Sequence, residues 1–395
     1  MKTISDKTRN ALRPRSRMIH LGRDSEASSG FVNVPPYRGS TVLFPDAATL
    51  VSGRQRYTYG THGTPTTEAL ASAWSDLAGA AGTVLVPSGL AAIAVALQCA
   101  VKSGDHVLMT DSAYFPARRF AEKALRPMGV ETTYYDPTIG AGIVSLMRPN
   151  TSVVFTEAPG SQSLDMQDIP ALAEAAHARG ACLIMDNTWA TPIFFPPHAH
   201  GVDLAIEAGT KYLSGHSDLL LGLVSATPEW FPRLHAFTDN FGIPPGPEDV
   251  FLALRGLRTM DLRLREAERQ ALTLAHWLQG RPEVLRVIHP ALAGDPGNAI
   301  WKRDFKGSSG LFSIILKPAP PAAVTAFLDR LELFGLGYSW GGYESLVIPF
   351  DCSSYRTATS WAPGGPALRF SVGFEDIEDL KADLEQGFET LRQNT

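Results

Sequence analysis

Four groups of residues in this chain could do chemistry together. Lys211, in Gly209-Thr210-Lys211-Tyr212, supplies an amine able to bond covalently to a carbonyl. Asp186 closes the apolar run ACLIM at 181–185, where a carboxylate is costly unless it meets a cation. Ser88-Gly89-Leu90 joins the apolar segment TVLVP at 83–87 to an alanine-rich helical pattern. The free N–H groups and dipole of a helix's first turn suit a phosphate. Tyr114, in Ser112-Ala113-Tyr114, offers a ring on which another ring could stack. Taken singly, each has an ordinary structural reading as a turn, a cap, a lysine lying along the surface or a core ring. Together they are what pyridoxal 5'-phosphate requires. The amine would hold the aldehyde as a Schiff base, and the carboxylate would keep the pyridine nitrogen protonated so that the ring accepts electrons.

The elements that must position these groups alternate along the chain. Short apolar runs at 83–87, 106–110, 130–135, 152–157, 181–186, 203–207 and 221–226 read as strands. Helical patterns at 89–101, 117–128 and 168–179 separate several of them. Buried strands alternating with helices predict an α/β domain with a mostly parallel sheet, whose ligands collect at the carboxyl ends of its strands. All four groups fall at such ends. After about Arg255 the pattern changes to one long charged helix over 256–280, strands at 284–288, 311–316 and 367–372, and helices at 321–331 and 377–391. The expected division is an N-terminal arm over 1–60, a large domain over 61–255 and a smaller α+β domain over 256–395.

Composition narrows the class. The 395 residues are 44% hydrophobic and 19% charged, which excludes disorder and allows two or three buried cores. A net charge of −5 argues against a nucleic-acid binder, and no apolar run reaches the ~18 residues that span a bilayer. Cys99, Cys182 and Cys352 are odd in number and widely spaced, which suits a reducing, cytoplasmic setting rather than a disulfide framework or a cysteine-rich zinc site. Lys2, Lys7, Arg9, Arg13, Arg15 and Arg17 face one acid, Asp6, in a basic N-terminal stretch. It reads as a flexible or oligomer-clasping arm, with an organelle transit peptide as the other reading. Gly140-Ala141-Gly142 lacks the third glycine of a dinucleotide fingerprint, and no P-loop pattern occurs. His198 and His200 lie in a proline-rich loop with no third ligand nearby, and read as a satisfied surface pair rather than a metal site.

From about His20 to the C-terminus the chain resembles the transsulfuration, or Cys/Met metabolism, family of pyridoxal-phosphate enzymes. The resemblance rests on YTYGTHGTPT at 57–66, EAPGS at 157–161, DNTWA at 186–190, TKYLSGHSD at 210–218, WKRDFKGSSGLF at 301–312 and YSWGGYESL at 338–346. It implies the fold-type I, transferase-like fold, with Lys211 as the Schiff-base lysine and Asp186 as the partner of the ring nitrogen. It further implies Tyr114 as the stacking ring and Ser88, Gly89 and Leu90 as the phosphate cradle, with Thr210 adding a hydroxyl. Arg369 matches an arginine that grips the substrate α-carboxylate, with Ser339 and Trp340 bordering that pocket. An arginine fork fits a carboxylate in a way a lysine does not. Tyr57 matches a tyrosine delivered from a neighbouring subunit, which implies a homo-oligomer, a tetramer built from dimers.

Two departures stand out. Relatives carry Tyr-x-Arg in the tyrosine segment, with the arginine on the phosphate, and here Tyr59 holds the third position. Either the Tyr59 hydroxyl or Arg56 or Arg54 takes that role, or the phosphate is held more weakly. The stretch Ala158-Pro159-Gly160-Ser161 departs from the usual Ser-Pro-Thr-Asn-Pro and suits the β-lyase branch, which makes Ser161 a candidate substrate contact. Tyr338, where γ-eliminating relatives have an acid, points the same way. The resemblance therefore implies a carbon–sulfur β-lyase acting on a small amino-acid thioether, cleaving L-cystathionine to homocysteine, pyruvate and ammonia in methionine biosynthesis. The other readings are a γ-lyase or γ-synthase, a β-lyase for another cysteine S-conjugate, and, from a different class, a non-catalytic regulator on the same fold.

Overall fold

The computed structural model describes residues 5–395. Strands β1 (Gly82–Val86), β2 (His106–Thr110), β3 (Glu131–Tyr135), β4 (Thr151–Glu157), β5 (Cys182–Asp186), β6 (Leu204–Ala208) and β7 (Gly222–Ala226) form one sheet in the order β1-β7-β6-β5-β4-β2-β3. Strands β6, β5, β4, β2 and β3 are mutually parallel, and β7 runs antiparallel to both β1 and β6. The strands are apolar because helices cover both faces. Val86, Val107, Phe155, Ile184 and Ile206 pack with Ile93, Ala96 and Leu97 of the helix Gly89–Ala100. Their neighbours in sequence, Leu85, Leu108, Val154 and Met185, face Leu70 and Trp74 of the helix Pro65–Ala78 and Leu172 of Ile169–His177. This two-sided burial explains why the runs show no polar alternation.

The second sheet contains β8 (Val284–Ile288), β9 (Leu311–Leu316), β10 (Gly335–Leu336), β11 (Leu346–Phe350) and β12 (Ala367–Ser371), in the order β10-β11-β12-β9-β8. Phe312 stacks on Phe370 at 5.6 Å, and Phe327 and Phe388 pack together from the covering helices Pro321–Arg330 and Ile377–Gln393. Strands β10 and β11 escape a sequence reading. The first is two residues long, and the second contains Pro349, which breaks a strand pattern. It is tolerated beyond the two residues that β10 pairs, where the outer side of β11 is open.

The long helix expected over 256–280 is present as Met260–Gln279, and a separate helix, Pro247–Leu257, precedes it. Tertiary contacts fill the junction between the two. The Arg258 guanidinium donates to the carbonyls of Met18 and Leu21 at 2.5 and 2.7 Å, and Thr259 leaves helical geometry at ψ 5°. Just before it, Gly256 lies so near the chain after Lys211 that a Cβ would sit 2.3 Å from the Leu213 carbonyl oxygen.

Within the basic N-terminal stretch, Lys2 lies outside the described residues. Arg17 pairs with Asp76, and Arg15 lies 3.7 Å from Asp261, so two of its cations are held by acids of the same chain. His198 spends both ring nitrogens, on Val202 O at 2.7 Å and Ser225 Oγ at 3.0 Å, and His200 stacks on Phe195 at 4.3 Å. No helix among the described residues is long and apolar enough to cross a membrane.

Candidate active site

The carboxyl ends of β1, β2, β4, β5 and β6 open into a cleft of 860 Å³, closed on its other side by residues 338–340, 348–351, 354–355 and Arg369. Ser88, Gly89, Leu90, Tyr114, Ser161, Asp186, Thr210, Lys211, Tyr338, Ser339, Trp340 and Arg369 all line it, although they come from both sheets. Tyr57 and Tyr59 do not.

At one end the chain turns from β1 into the helix Gly89–Ala100. Ser88 Oγ accepts the N–H of Ala91 at 3.1 Å as the N-cap, which leaves its O–H proton free to donate. Gly89 is required by a close approach, because a Cβ there would meet the Ala208 side chain at 2.7 Å. The helix start is thereby pressed against the end of β6, beside the loop that carries Lys211. Thr210 also lines this end, but its hydroxyl already donates to Leu221 O at 3.3 Å and accepts Leu221 N–H at 3.1 Å.

The floor holds two carboxyl groups on adjacent strands, with a third, Glu207, buried nearby and not lining the cleft. Glu157 and Asp186 are register partners on β4 and β5, and Glu207 lies on β6. Asp186 Oδ1 accepts the backbone N–H of Thr188 at 3.0 Å and its hydroxyl at 2.6 Å. Among the described residues no donor reaches Oδ2. Burial raises the Asp186 pKa, opposed by the Thr188 bonds and by Lys211. Burial and the neighbouring Asp186 push Glu157 and Glu207 well above the usual carboxylate range. Glu207 is 2% exposed and neither of its oxygens has a partner among the described residues. Tyr114 is anchored through its backbone N–H, which donates to Glu157 Oε2 at 2.7 Å and leaves the ring facing the cleft.

Lys211 and Arg369 meet at Ser339. Lys211 Nζ donates to Ser339 Oγ at 2.5 Å, and Arg369 Nη2 donates to Ser339 O at 2.9 Å. Ser339 holds φ at +81°, a left-handed conformation costly for a residue with a Cβ, and the strain sits between the two cations. Trp340 lies 5.4 Å from the Lys211 ammonium and 5.4 Å from the Tyr212 ring. Burial, with Arg369 nearby, lowers the Lys211 pKa to about 8, against the pull of Asp186. Burial likewise lowers Arg369 to about 10, and its buried Nε lacks a partner.

These features fit pyridoxal phosphate. A helix start with a free hydroxyl suits the phosphate, Asp186 Oδ2 suits a protonated ring nitrogen, Lys211 suits the aldehyde, and the orphaned Arg369 Nε suits a carboxylate.

Tyr57 and Tyr59 stand apart from the cleft of their own chain. The Tyr57 hydroxyl bonds to Glu68, which also takes two bonds from Arg56 at 3.0 and 2.7 Å. Tyr59 is 46% exposed, and its hydroxyl makes no bond among the described residues.

Several lining residues were not expected from sequence. Glu157 and Thr188 lie inside the stretches that carried the family resemblance, so their place at strand ends was available as a signal. Arg119, Asp351, Ser354 and Tyr355 also line the cleft, and no motif marks them.

Comparison with known proteins agrees with this geometry. A Rhizobium johnstonii protein provisionally assigned as a cystathionine β-lyase is 52% identical over 377 residues, covering 94% of this chain and 95% of that one. The cystathionine β-lyase of Salmonella typhimurium is 40% identical, over 94% of this chain and 97% of its own. The crystal structure of cystathionine γ-lyase from Lactobacillus plantarum, complexed with L-serine, superposes with a TM-score of 0.88 at 27% identity, covering 96% of this chain and all of that one. The family model for Cys/Met metabolism PLP-dependent enzymes matches residues 15–389, and the chain belongs to that family.

Proposed function

We propose that the protein is a carbon–sulfur β-lyase that cleaves L-cystathionine, with water, to homocysteine, pyruvate and ammonia. Pyridoxal phosphate, when bound, supplies the electron sink that lets a Cα–H bond break and a thiolate leave Cβ. The Ser88 hydroxyl and the N–H groups of Gly89 and Leu90 would hold its phosphate, Tyr114 its ring face and Asp186 its ring nitrogen. Arg369 fixes the substrate α-carboxylate, and through Ser339 O it is tied to the segment that holds the Lys211 amine. With a pKa near 8, Lys211 has a neutral fraction close to neutrality and serves as the base that takes the Cα proton. Ser161, Tyr338 and Trp340 complete the substrate walls.

The observation that carries this reading is the Lys211–Ser339–Arg369 junction, which brings a half-buried amine and a buried, incompletely bonded guanidinium to one residue. Incubating the holoenzyme with L-cystathionine and identifying the keto acid tests it. Pyruvate with homocysteine is expected, and 2-oxobutyrate with cysteine would move the enzyme to γ-elimination.

The site is shared in our reading, with residues 1–60 of one copy reaching the cleft between the 61–255 and 256–395 regions of another, in a tetramer of dimers. Phe31, Val32, Leu43 and Val51 are exposed apolar residues on that arm. Tyr57, bonded to Glu68 within its own chain, is the residue of that arm that would reach across, with Tyr59, whose hydroxyl makes no bond among the described residues, beside it. Tyr57→Phe should therefore lower turnover more than Tyr59→Phe does, and the reverse order would move the role to Tyr59. A cytoplasmic, reducing location is supported by three buried free cysteines.

A further inference from the structure

Behind the residue that faces the cofactor's ring nitrogen, the ends of β5 and β6 leave three buried oxygens without a donor. They are Oδ1 of Asn187 and both carboxyl oxygens of Glu207. Each residue is 2% exposed, so bulk water does not reach them. A buried acceptor with no donor is costly, and a buried carboxylate with no cation is costlier still. Neither a hydrogen-bond donor nor a cation reaches Glu207 among the described residues, and the charge that acts on it is that of Asp186, another acid. An ionised Glu207 has nothing here to stabilise it.

The two side chains lie on the same face of the sheet. Strands β5 and β6 pair in parallel register, Met185 with Ala205 and Asp186 with Ile206. The ladder continues one step, from Asn187 N–H to Ile206 O at 2.9 Å, which sets Asn187 beside Glu207 on strands about 4.8 Å apart. Alternation turns Glu207 to the face of Ala205 and away from that of Ile206. Asn187 Nδ2 donates to the carbonyl of Phe195 at 3.0 Å, and Phe195 packs in the same cluster as Ala205. A carbonyl oxygen only accepts, so the amide must turn Nδ2 to Phe195, and Oδ1 is left to find a donor elsewhere. One proton on Glu207 resolves both problems: a neutral carboxyl needs no cation and brings a donor to the Asn187 oxygen. On the cleft side, Thr188 Oγ1 bonds Asp186 and also accepts Ala208 N–H at 2.9 Å, tying β5 to β6. Asn187 and Glu207 hold the equivalent place on the opposite side.

We propose that Glu207 is kept protonated and donates its hydroxyl to Asn187 Oδ1, a buried link that positions Asp186 for the ring nitrogen. Glu207 is a positioning residue: it touches neither cofactor nor substrate and acts by fixing the residue that follows Asp186. Being neutral, it leaves Asp186 as the carboxylate that meets the protonated ring. The link rests on the pyridoxal-phosphate site and not on which thioether is cleaved.

Infrared difference spectroscopy on the holoenzyme at pH 7, wild type against Glu207→Gln, reads the proton directly. The carbonyl band of a protonated carboxyl should be present in the wild type and missing from the variant, and a carboxylate band in its place would overturn the proposal. Cofactor dissociation reads the link. Glu207→Gln keeps a donor on the same frame and should stay within about twofold of wild type, whereas Glu207→Met, without a donor, should bind the cofactor about tenfold more weakly, the scale of one lost hydrogen bond. Asn187→Leu removes the other partner, so adding Glu207→Met to it should weaken binding no further. Equal weakening by Gln and Met, no weakening by Met, or full additivity in the double variant would each refute the link. Should Glu207→Met fail to fold, the infrared band and the affinity of Glu207→Gln still decide.

Discussion

Two aspartates at strand ends, Asp186 lining the cleft and Asp111 buried away from it, receive opposite treatment. Asp111, wholly buried, has both oxygens filled: Oδ1 by Arg118 at 2.9 Å and Thr357 N–H at 3.0 Å, Oδ2 by the N–H and hydroxyl of Thr359. Burial alone would raise its pKa, but the bonds from Thr357 and Thr359 outweigh it and hold the group below the usual carboxylate range. Asp186 has one oxygen bonded, by Thr188 alone, and burial wins, leaving its pKa raised. The contrast extends to the cations. Arg118 is locked between Asp111 and the Tyr134 ring, 3.6 Å away, whereas Lys211 is bonded to a serine hydroxyl and has a depressed pKa. A buried charge with every partner supplied holds the architecture together. One left short of partners in a cleft has its deficit met by a ligand.

The sharpest break of that comparison is at Lys211. Lys211→Ala should lower pyruvate release by at least ~10²–10⁴, the range for a lost acid–base group, and abolish the covalent cofactor band in the absorption spectrum. Near-wild-type turnover would remove Lys211 from the chemistry. At the other pole, Asp111→Ala leaves Arg118 buried without its anion and should destabilise the fold by about 3–5 kcal/mol, measured by urea unfolding. Unaltered stability would show that the segment of Thr357 and Thr359 is held by the Arg356–Asp165 pair without it.

Smaller in size but opposite in sign is the effect of Lys211→Met on the cofactor-free protein. A pKa of about 8 in the fold against 10.5 unfolded makes the charged lysine a destabilising residue, by on the order of 3 kcal/mol where it is protonated in both states. The unfolded chain binds more protons between those two values, so wild-type stability rises with pH there. The methionine variant should therefore be the more stable at pH 7, and its advantage should shrink as pH climbs from 8 towards 10.5. An advantage that does not vary with pH would mean that packing, not charge, explains it.

Much of the catalytic floor is legible in sequence because it is local. A strand end followed by Ser88-Gly89, an apolar run ending at Asp186, and a lysine just past the next strand each declare themselves within ten residues of chain. The parallel sheet follows from the same runs, since strands covered on both faces lose their polar alternation. The remainder of the site was not readable this way. Arg119 and Asp351 carry no motif, β11 hides behind Pro349, and Arg258, between two helices, bonds to the carbonyls of Met18 and Leu21 far away in sequence.

What the sequence alone determined is the order of the elements and the identity of the residues at the strand ends, both set by burial periodicity and local turn chemistry. Tertiary structure decided which charges would be satisfied. Asp111 and Asp186 are both acids at or just after a strand end, and each follows a similar apolar run. The difference comes from Thr357 and Thr359, nearly 250 positions away, which fold back onto one and not the other. Hydrogen bonds act over about 3 Å, so a carboxylate's fate depends on what the fold brings within reach rather than on its sequence neighbours.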